Sequence, residues 1–161
     1  MLYLSKIENQ TILTNQQTYN LSEQIRLVFA LLDKKFSEKQ LQIIFDNQEY
    51  FITGNQEMLK QVWINLLDNA IKFSPDVGKI EVAISQNNEK TYISVSNEGE
   101  DIPTDVLTHT FDRFYQGDKS HATAGNGLGL SIVKKIIDLH GGEIKVSSEK
   151  GHVSFGIVFP K

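Results

Sequence analysis

The chain has 161 residues, 40% hydrophobic and 22% charged, with a net charge of −4 and acidic and basic side chains interspersed. That is the size and composition of one globular domain, without a basic footprint for nucleic acid, a polybasic membrane patch, or an apolar run near the ~20 residues of a membrane span. It has no cysteine, which excludes disulfides, thiolate metal sites and cysteine nucleophiles and fits a reducing compartment.

The N-terminal MLYLSKIENQ has no signal-peptide anatomy. Its Leu2, Leu4 and Ile7 read as the last turns of an amphipathic helix continuing from a longer chain. Thr11–Thr14 and Gln17–Tyr19 read as short strands. Asn20 and Ser22 are both plausible N-caps for a helix through about Lys35, with Leu21, Ile25, Val28, Phe29 and Leu32 on one face. Leu41–Asp46 and Glu49–Thr53 are expected strands joined by the turn residues Asn47 and Gln48. A long helix is expected from about Asn55 to Phe73, stopped by Ser74-Pro75.

Lys79–Gln86 and Lys90–Asn97 alternate apolar and polar residues, a hairpin with one buried face. Pro103 to Tyr115 is expected to hold one or two short helices. Gln116 to Gly127 lacks periodicity and reads as a long lid-like loop. Leu128–His140 is a helix stopped by Gly141-Gly142, and Glu143–Glu149 with His152–Phe159 close the chain as a hairpin around Lys150-Gly151. Strands outnumber helices and occur mainly in hairpins. The expected fold is α+β: a two-layer α/β sandwich with a mixed, mostly antiparallel sheet and helices on one face.

At about 100° per residue, Leu59, Val62, Trp63, Leu66, Leu67, Ala70 and Phe73 fill one arc of the long helix, and Asn65, Asn69 and Lys72 form a stripe beside it. Gln61 and Asp68 lie further round. The stripe is either a solvated face or a ligand-bearing one. A solvated face would favour Glu, Lys, Arg or Gln, which propagate helices better than asparagine. An amide oxygen is a neutral, hard ligand suited to Mg²⁺ that shares its shell with phosphates and water, and Lys72 is placed to meet a phosphate.

A second candidate is AGNGLGLSIVKK, Ala124 to Lys135, where Gly125, Gly127 and Gly129 alternate just as a helix begins. It is either a flexible turn or an anion site. Glycine lets backbone approach a ligand closely, and a helix N-terminus offers free N–H groups and partial positive charge. The spacing is neither a P-loop nor a dinucleotide fingerprint.

Together these segments resemble the catalytic ATP-binding domain of bacterial sensor histidine kinases, in the superfamily shared with gyrase, mismatch-repair ATPases and certain chaperones. QVWINLLDNAIKFSP is similar to the N box, NEGEDIP (Asn97–Pro103) falls where the first glycine box does, FDRFY (Phe111–Tyr115) resembles the F box, and GNGLGL (Gly125–Leu130) the second glycine box. The order and spacing, and the ending LHGGEIKVSSEKG, also resemble those of the family. The resemblance implies the fold just described, residues 1–10 as the end of a dimerisation-hairpin helix, and residues 11–161 as the catalytic domain.

It also implies roles. Asn69 matches the Mg²⁺ ligand, Asn65 a neighbour at the phosphates, and Lys72 the basic phosphate contact. Gly99 matches the glycine that admits the backbone to the adenine pocket, and Ile102 an apolar position beside the base. Phe111 and Phe114 match the lid aromatics, with a plain core role equally open to them. Gly125, Gly127 and Gly129 match the phosphate loop, with Leu128 and Leu130 packing beneath it. Two departures stand out. Asn97 occupies the position of the aspartate that accepts from the adenine amino group, which removes the charge assistance and weakens binding by about 1 kcal/mol, and Asp101 replaces the box's second glycine. The F box also runs on as Tyr115-Gln116 where the family often has Tyr-Arg, leaving Arg113 or Lys119 to supply the charge.

The implied activity is transfer of the γ-phosphoryl of ATP, with Mg²⁺, to a histidine on a dimerisation hairpin, for relay to a response regulator. None of His109, His121, His140 and His152 lies in a phosphoacceptor context, so the acceptor belongs elsewhere in the parent protein. His140 is expected at the surface of a helix end and His121 in the lid. The domain is expected to be monomeric and cytoplasmic, in a membrane-anchored parent, without contacting membrane or nucleic acid itself. The alternatives are a nucleotide-binding pseudokinase and a serine kinase of the anti-sigma-factor type.

Overall fold

The computed structural model describes residues 12–103, 106, 109–111 and 128–161. In chain order the elements are β1 (Gln16–Asn20), α1 (Leu21–Leu31), α2 (Asp33–Glu38), β2 (Gln42–Phe45), β3 (Phe51–Asn55), α3 (Gln56–Phe73), β4 (Lys79–Gln86), β5 (Lys90–Glu98), α4 (Leu128–Leu139), β6 (Glu143–Glu149) and β7 (His152–Pro160). A five-stranded sheet runs β2-β4-β5-β7-β6, and β1 and β3 form a separate antiparallel pair. In the large sheet only the β2–β4 pair is parallel; β4–β5, β5–β7 and β6–β7 are antiparallel. No helix among the described residues is long and apolar enough to cross a membrane.

Strict alternation explains the layering. Ile80, Val82 and Ile84 of β4, Ile93 and Val95 of β5, and Val153, Phe155, Ile157 and Phe159 of β7 are all buried on one face. They meet Ile25 and Val28 of α1, Leu59, Val62, Trp63, Leu66 and Leu67 of α3, and Val133, Ile136 and Ile137 of α4 in one core. This is the expected sandwich with helices on one side. A buried polar hub ties α1 to α3. Gln24 Oε1 accepts from Tyr19 Oη at 2.7 Å and from Trp63 Nε1 at 2.8 Å, and Gln24 Nε2 donates to the Gln56 carbonyl at 2.8 Å.

Local expectations fared unevenly. Asn20 is the N-cap of α1, accepting from Glu23 N at 3.0 Å. Ser22 is buried instead, and its Oγ accepts from Tyr50 N. The single helix expected through Lys35 is two, separated at Leu32 (φ −98°, ψ 9°), the second reaching Glu38. Ile12–Thr14 form no strand. The strands on either side of Asn47-Gln48 do not pair with each other: β2 joins β4 and β3 joins β1. Phe73, expected in the buried arc of α3, is 55% exposed, while Ile71 is buried.

Candidate nucleotide site

The asparagine stripe is set by α3, which starts at its N-cap Asn55, whose side chain accepts from Met58 N at 2.9 Å. The helix buries Leu59, Val62, Trp63, Leu66, Leu67 and Ala70, and this fixes its rotation. Asn65 and Asn69 are consequently half-buried along its flank, and Lys72 is exposed one turn on.

Asn65 faces the start of α4. Its Nδ2 donates to the Gly129 carbonyl at 3.1 Å, and its Oδ1 accepts from Gln61 Nε2 at 2.7 Å. A Cβ at Gly129 would lie 3.9 Å from that Nδ2. The first turn of the glycine-led helix therefore lies against the asparagine stripe. Asn69 and Lys72 make no side-chain hydrogen bond or ion pair among the described residues. Leu130 is half-buried against the core, and Leu128 begins α4.

The end of β5 supplies the other wall. Asn97 is only 3% exposed. Its Nδ2 donates to the Glu98 carbonyl at 2.8 Å, leaving Oδ1 without a partner among the described residues. A buried amide oxygen of this kind carries a desolvation cost unless something donates to it. Gly99 is wedged between Asn97 and the end of α3: a Cβ there would stand 3.1 Å from the Phe73 carbonyl and 3.2 Å from Asn97 Nδ2. Ile102 is half-buried against the core, its N–H donating to Ser148 Oγ at 2.7 Å. Phe111 is half-buried too, with its ring edge-on to Phe155 at 6.0 Å.

The structure thus gathers the flank and C-terminus of α3, the end of β5 and the first turn of α4. Of the residues singled out in the sequence, Arg113, Phe114, Tyr115, Lys119, His121, Gly125 and Gly127 lie outside the described residues. Among the described residues no group of three or more His, Cys, Asp or Glu side chains could hold a metal ion. The donor set suits a hard cation that takes one amide oxygen here and completes its shell with phosphate and water.

Three positioning groups were missed in the sequence. Gln61 pins Asn65 from one turn earlier, an i,i+4 pairing visible in the spacing. Lys39 Nζ donates to the carbonyls of Ile71 and Ser74, both at 2.7 Å, and of Lys72 at 3.1 Å, closing the C-terminus of α3. No local pattern marks it. His140 is half-buried, not the exposed helix-end residue expected. Its Nδ1 is 2.8 Å from the Ile136 carbonyl and its Nε2 accepts from Asn55 N at 3.0 Å, which requires the neutral Nδ1–H tautomer. Burial pushes its pKa below the usual histidine range against the weaker opposing pull of the Ile136 bond. The ring fills space that Gly54 leaves open: a Cβ there would come 2.9 Å from His140 Cδ2.

Residues 54–161 match the family described as Histidine kinase-, DNA gyrase B-, and HSP90-like ATPase. The heme sensor protein HssS of Staphylococcus haemolyticus is 35% identical over the whole chain, which spans 35% of that relative's length. The catalytic domain of the histidine kinase ThkA superposes with a TM-score of 0.82 and 34% identity, covering 92% of this chain and 97% of that one. ThkA has also been solved in complex with the response regulator protein TrrA (33% identity, TM-score 0.77, 91% of this chain and 42% of that one). Full-length ShkA in complex with AMPPNP shares the fold at 24% identity and a TM-score of 0.84, covering 99% of this chain and 34% of that one. The chain belongs to the histidine kinase-, DNA gyrase B- and HSP90-like ATPases, and within them it is the catalytic domain of a sensor histidine kinase.

Proposed function

We propose that this domain binds Mg²⁺–ATP in the cleft between α3, the end of β5 and the start of α4, and passes the γ-phosphoryl group to a histidine on a dimerisation hairpin. The observation that carries the reading is the Asn65 Nδ2 bond to the Gly129 carbonyl, which joins the asparagine stripe to the glycine-led helix. In this reading Asn97 Oδ1 accepts from the adenine amino group, Gly99 and Ile102 border the base, and Asn65 and Lys72 lie at the phosphates. Asn69 would hold Mg²⁺, which when bound neutralises charge on the phosphate oxygens. Gly125, Gly127 and Gly129 would serve as the phosphate loop with Leu128 and Leu130 beneath it, and Arg113 and Tyr115 would act from the lid.

Phosphoryl transfer asks a protein mainly for positioning and charge stabilisation. The amide of Asn69 and the ammonium of Lys72, which have no hydrogen-bond or ion-pair partner among the described residues, are of that kind. Residues 1–10 would end the dimerisation hairpin's second helix, 11–161 form the catalytic unit, and a response regulator receive the phosphoryl group downstream. The ThkA–TrrA complex supports that last partner. The domain would act in the cytoplasm, as a monomer, in a membrane-anchored parent.

Calorimetric titration with ATP, with and without Mg²⁺, tests binding. Phosphotransfer to a separately supplied hairpin then tests turnover. We expect saturable, Mg²⁺-strengthened binding, with Asn69→Ala weakening it about tenfold or more by removing a charge-assisted contact. Phosphotransfer should occur only when the hairpin is added. Stable acid-labile phosphate on the isolated domain would contradict the assignment of the acceptor elsewhere. Asn97 in place of an acidic acceptor favours one second reading, a nucleotide-binding pseudokinase, which binding without phosphotransfer would establish.

A further inference from the structure

The segment leaving β5 runs past the tip of the β6–β7 hairpin and is bonded to it three times. Gly99 N–H donates to the Gly151 carbonyl at 2.9 Å. Gly151 N–H donates to Asp101 Oδ1 at 3.0 Å, and Ile102 N–H donates to Ser148 Oγ at 2.7 Å. The tip is a two-residue turn with Lys150 at φ 52° and Gly151 at φ 78°, the geometry of a type I′ hairpin. Its two central residues stand outside the strand ladder, so both polar backbone groups of Gly151 are free to serve the passing segment.

The middle bond depends on this chain's own choice of residue. Asp101 stands where the first glycine box ordinarily has a second glycine. Glycine there would leave the segment with more conformational freedom and without a carboxylate to engage the turn. The aspartate offers a charged acceptor, and such bonds are stronger than neutral ones. Gly99, two residues earlier, has no lateral freedom to spare, with the Phe73 carbonyl and Asn97 Nδ2 each within 3.2 Å of where a Cβ would sit.

We propose that Asp101 is a positioning residue. By clamping the tip of the β6–β7 hairpin it holds Gly99 to Ile102 in place before nucleotide arrives, and so offsets what the chain loses by carrying Asn97. The inference rests on the reading of Gly99 and Ile102 as the base-side wall. The clamp has a nucleotide-free signature as well, because it protects the Gly151 amide from exchange.

The test uses the whole 161-residue chain as wild type, Asp101→Gly and Asp101→Asn, with two readouts: hydrogen exchange at Gly151 without nucleotide, and the Kd for Mg²⁺–ATP. Asp101→Gly is expected to speed Gly151 exchange at least about threefold and raise Kd about three- to tenfold, the range of one lost hydrogen bond. Asp101→Asn keeps an acceptor oxygen but loses the charge assistance, and is expected to fall between wild type and Asp101→Gly on both. Unchanged Gly151 exchange in Asp101→Gly overturns the clamp. Faster exchange with unchanged Kd overturns its role in nucleotide binding. If wild type binds no ATP, the proposed function fails along with the nucleotide half of this inference, and Gly151 exchange alone decides the clamp.

Discussion

His140 shows how one side chain can be read correctly in position and wrongly in environment. The sequence places it after the last apolar turn of α4 and before two glycines, a pattern that suggests an exposed helix end. The structure puts its ring edge-on to Phe159 at 5.9 Å and into the space beside Gly54. Nothing local to residue 140 reveals that residue 54 lacks a side chain there. The consequence is a pH dependence. Burial lowers the pKa of this group against the opposing pull of the Ile136 carbonyl, and protonating Nε2 would remove the acceptor of the Asn55 N–H. Because the folded-state pKa is lowered, the unfolded chain binds more protons in the window below the ordinary value of about 6.5. The stabilisation is therefore complete above about pH 6.5 and is lost as pH falls from there through the lowered value. Urea unfolding at pH 7.5 and 5.5 should show wild type losing stability relative to His140→Gln on acidification. Parallel losses in the two proteins would refute this coupling.

At the scale of elements, α3 was the most legible. Its apolar arc, its Asn55 start and its Ser74-Pro75 stop are all local signals, and the helix observed runs from Gln56 to Phe73. How its end is held was not legible, because Lys39 comes from a distant turn. A lysine at a helix C-terminus interacts favourably with unpaired carbonyls and the helix dipole. Lys39 also accepts at its own carbonyl from Val77 N at 2.8 Å, in a loop where Val77 takes φ 61°, uncommon for a β-branched residue. Lys39→Met keeps the aliphatic stem and removes the donors. It should cost about 1–2 kcal/mol, the effect of leaving partly buried carbonyls unsatisfied, with Lys39→Arg retaining more than half. An unchanged urea midpoint in Lys39→Met would show that water replaces the cap without loss. The break between α1 and α2 at Leu32 had no glycine or proline to announce it, so a continuous helix was the natural expectation.

For the whole molecule, local pairing was readable and distant pairing was not. The β4–β5 and β6–β7 hairpins follow from alternation and short turns, and both are present as antiparallel pairs. β2 and β3 are separated by turn residues like those of a hairpin, yet each pairs with a strand far along the chain. That choice is made by tertiary burial, which no short window encodes. The site follows the same division. The stripe of Asn65, Asn69 and Lys72 was a candidate from helical spacing and residue choice, whereas the meeting of Asn65 with Gly129 and of Gly99 with the end of α3 required the fold.

The central claim is that these three regions form one nucleotide pocket on the helical side of the sheet. Backbone and side-chain amide shifts recorded while Mg²⁺–ATP is added to the ¹⁵N-labelled domain test it most directly. Saturable changes centred on Asn65, Asn69, Asn97, Gly99 and Gly129, with Ser94 and Gly156 on the opposite face of the sheet unmoved, are the predicted result. No saturable change at millimolar nucleotide, or changes centred on that opposite face, would contradict it.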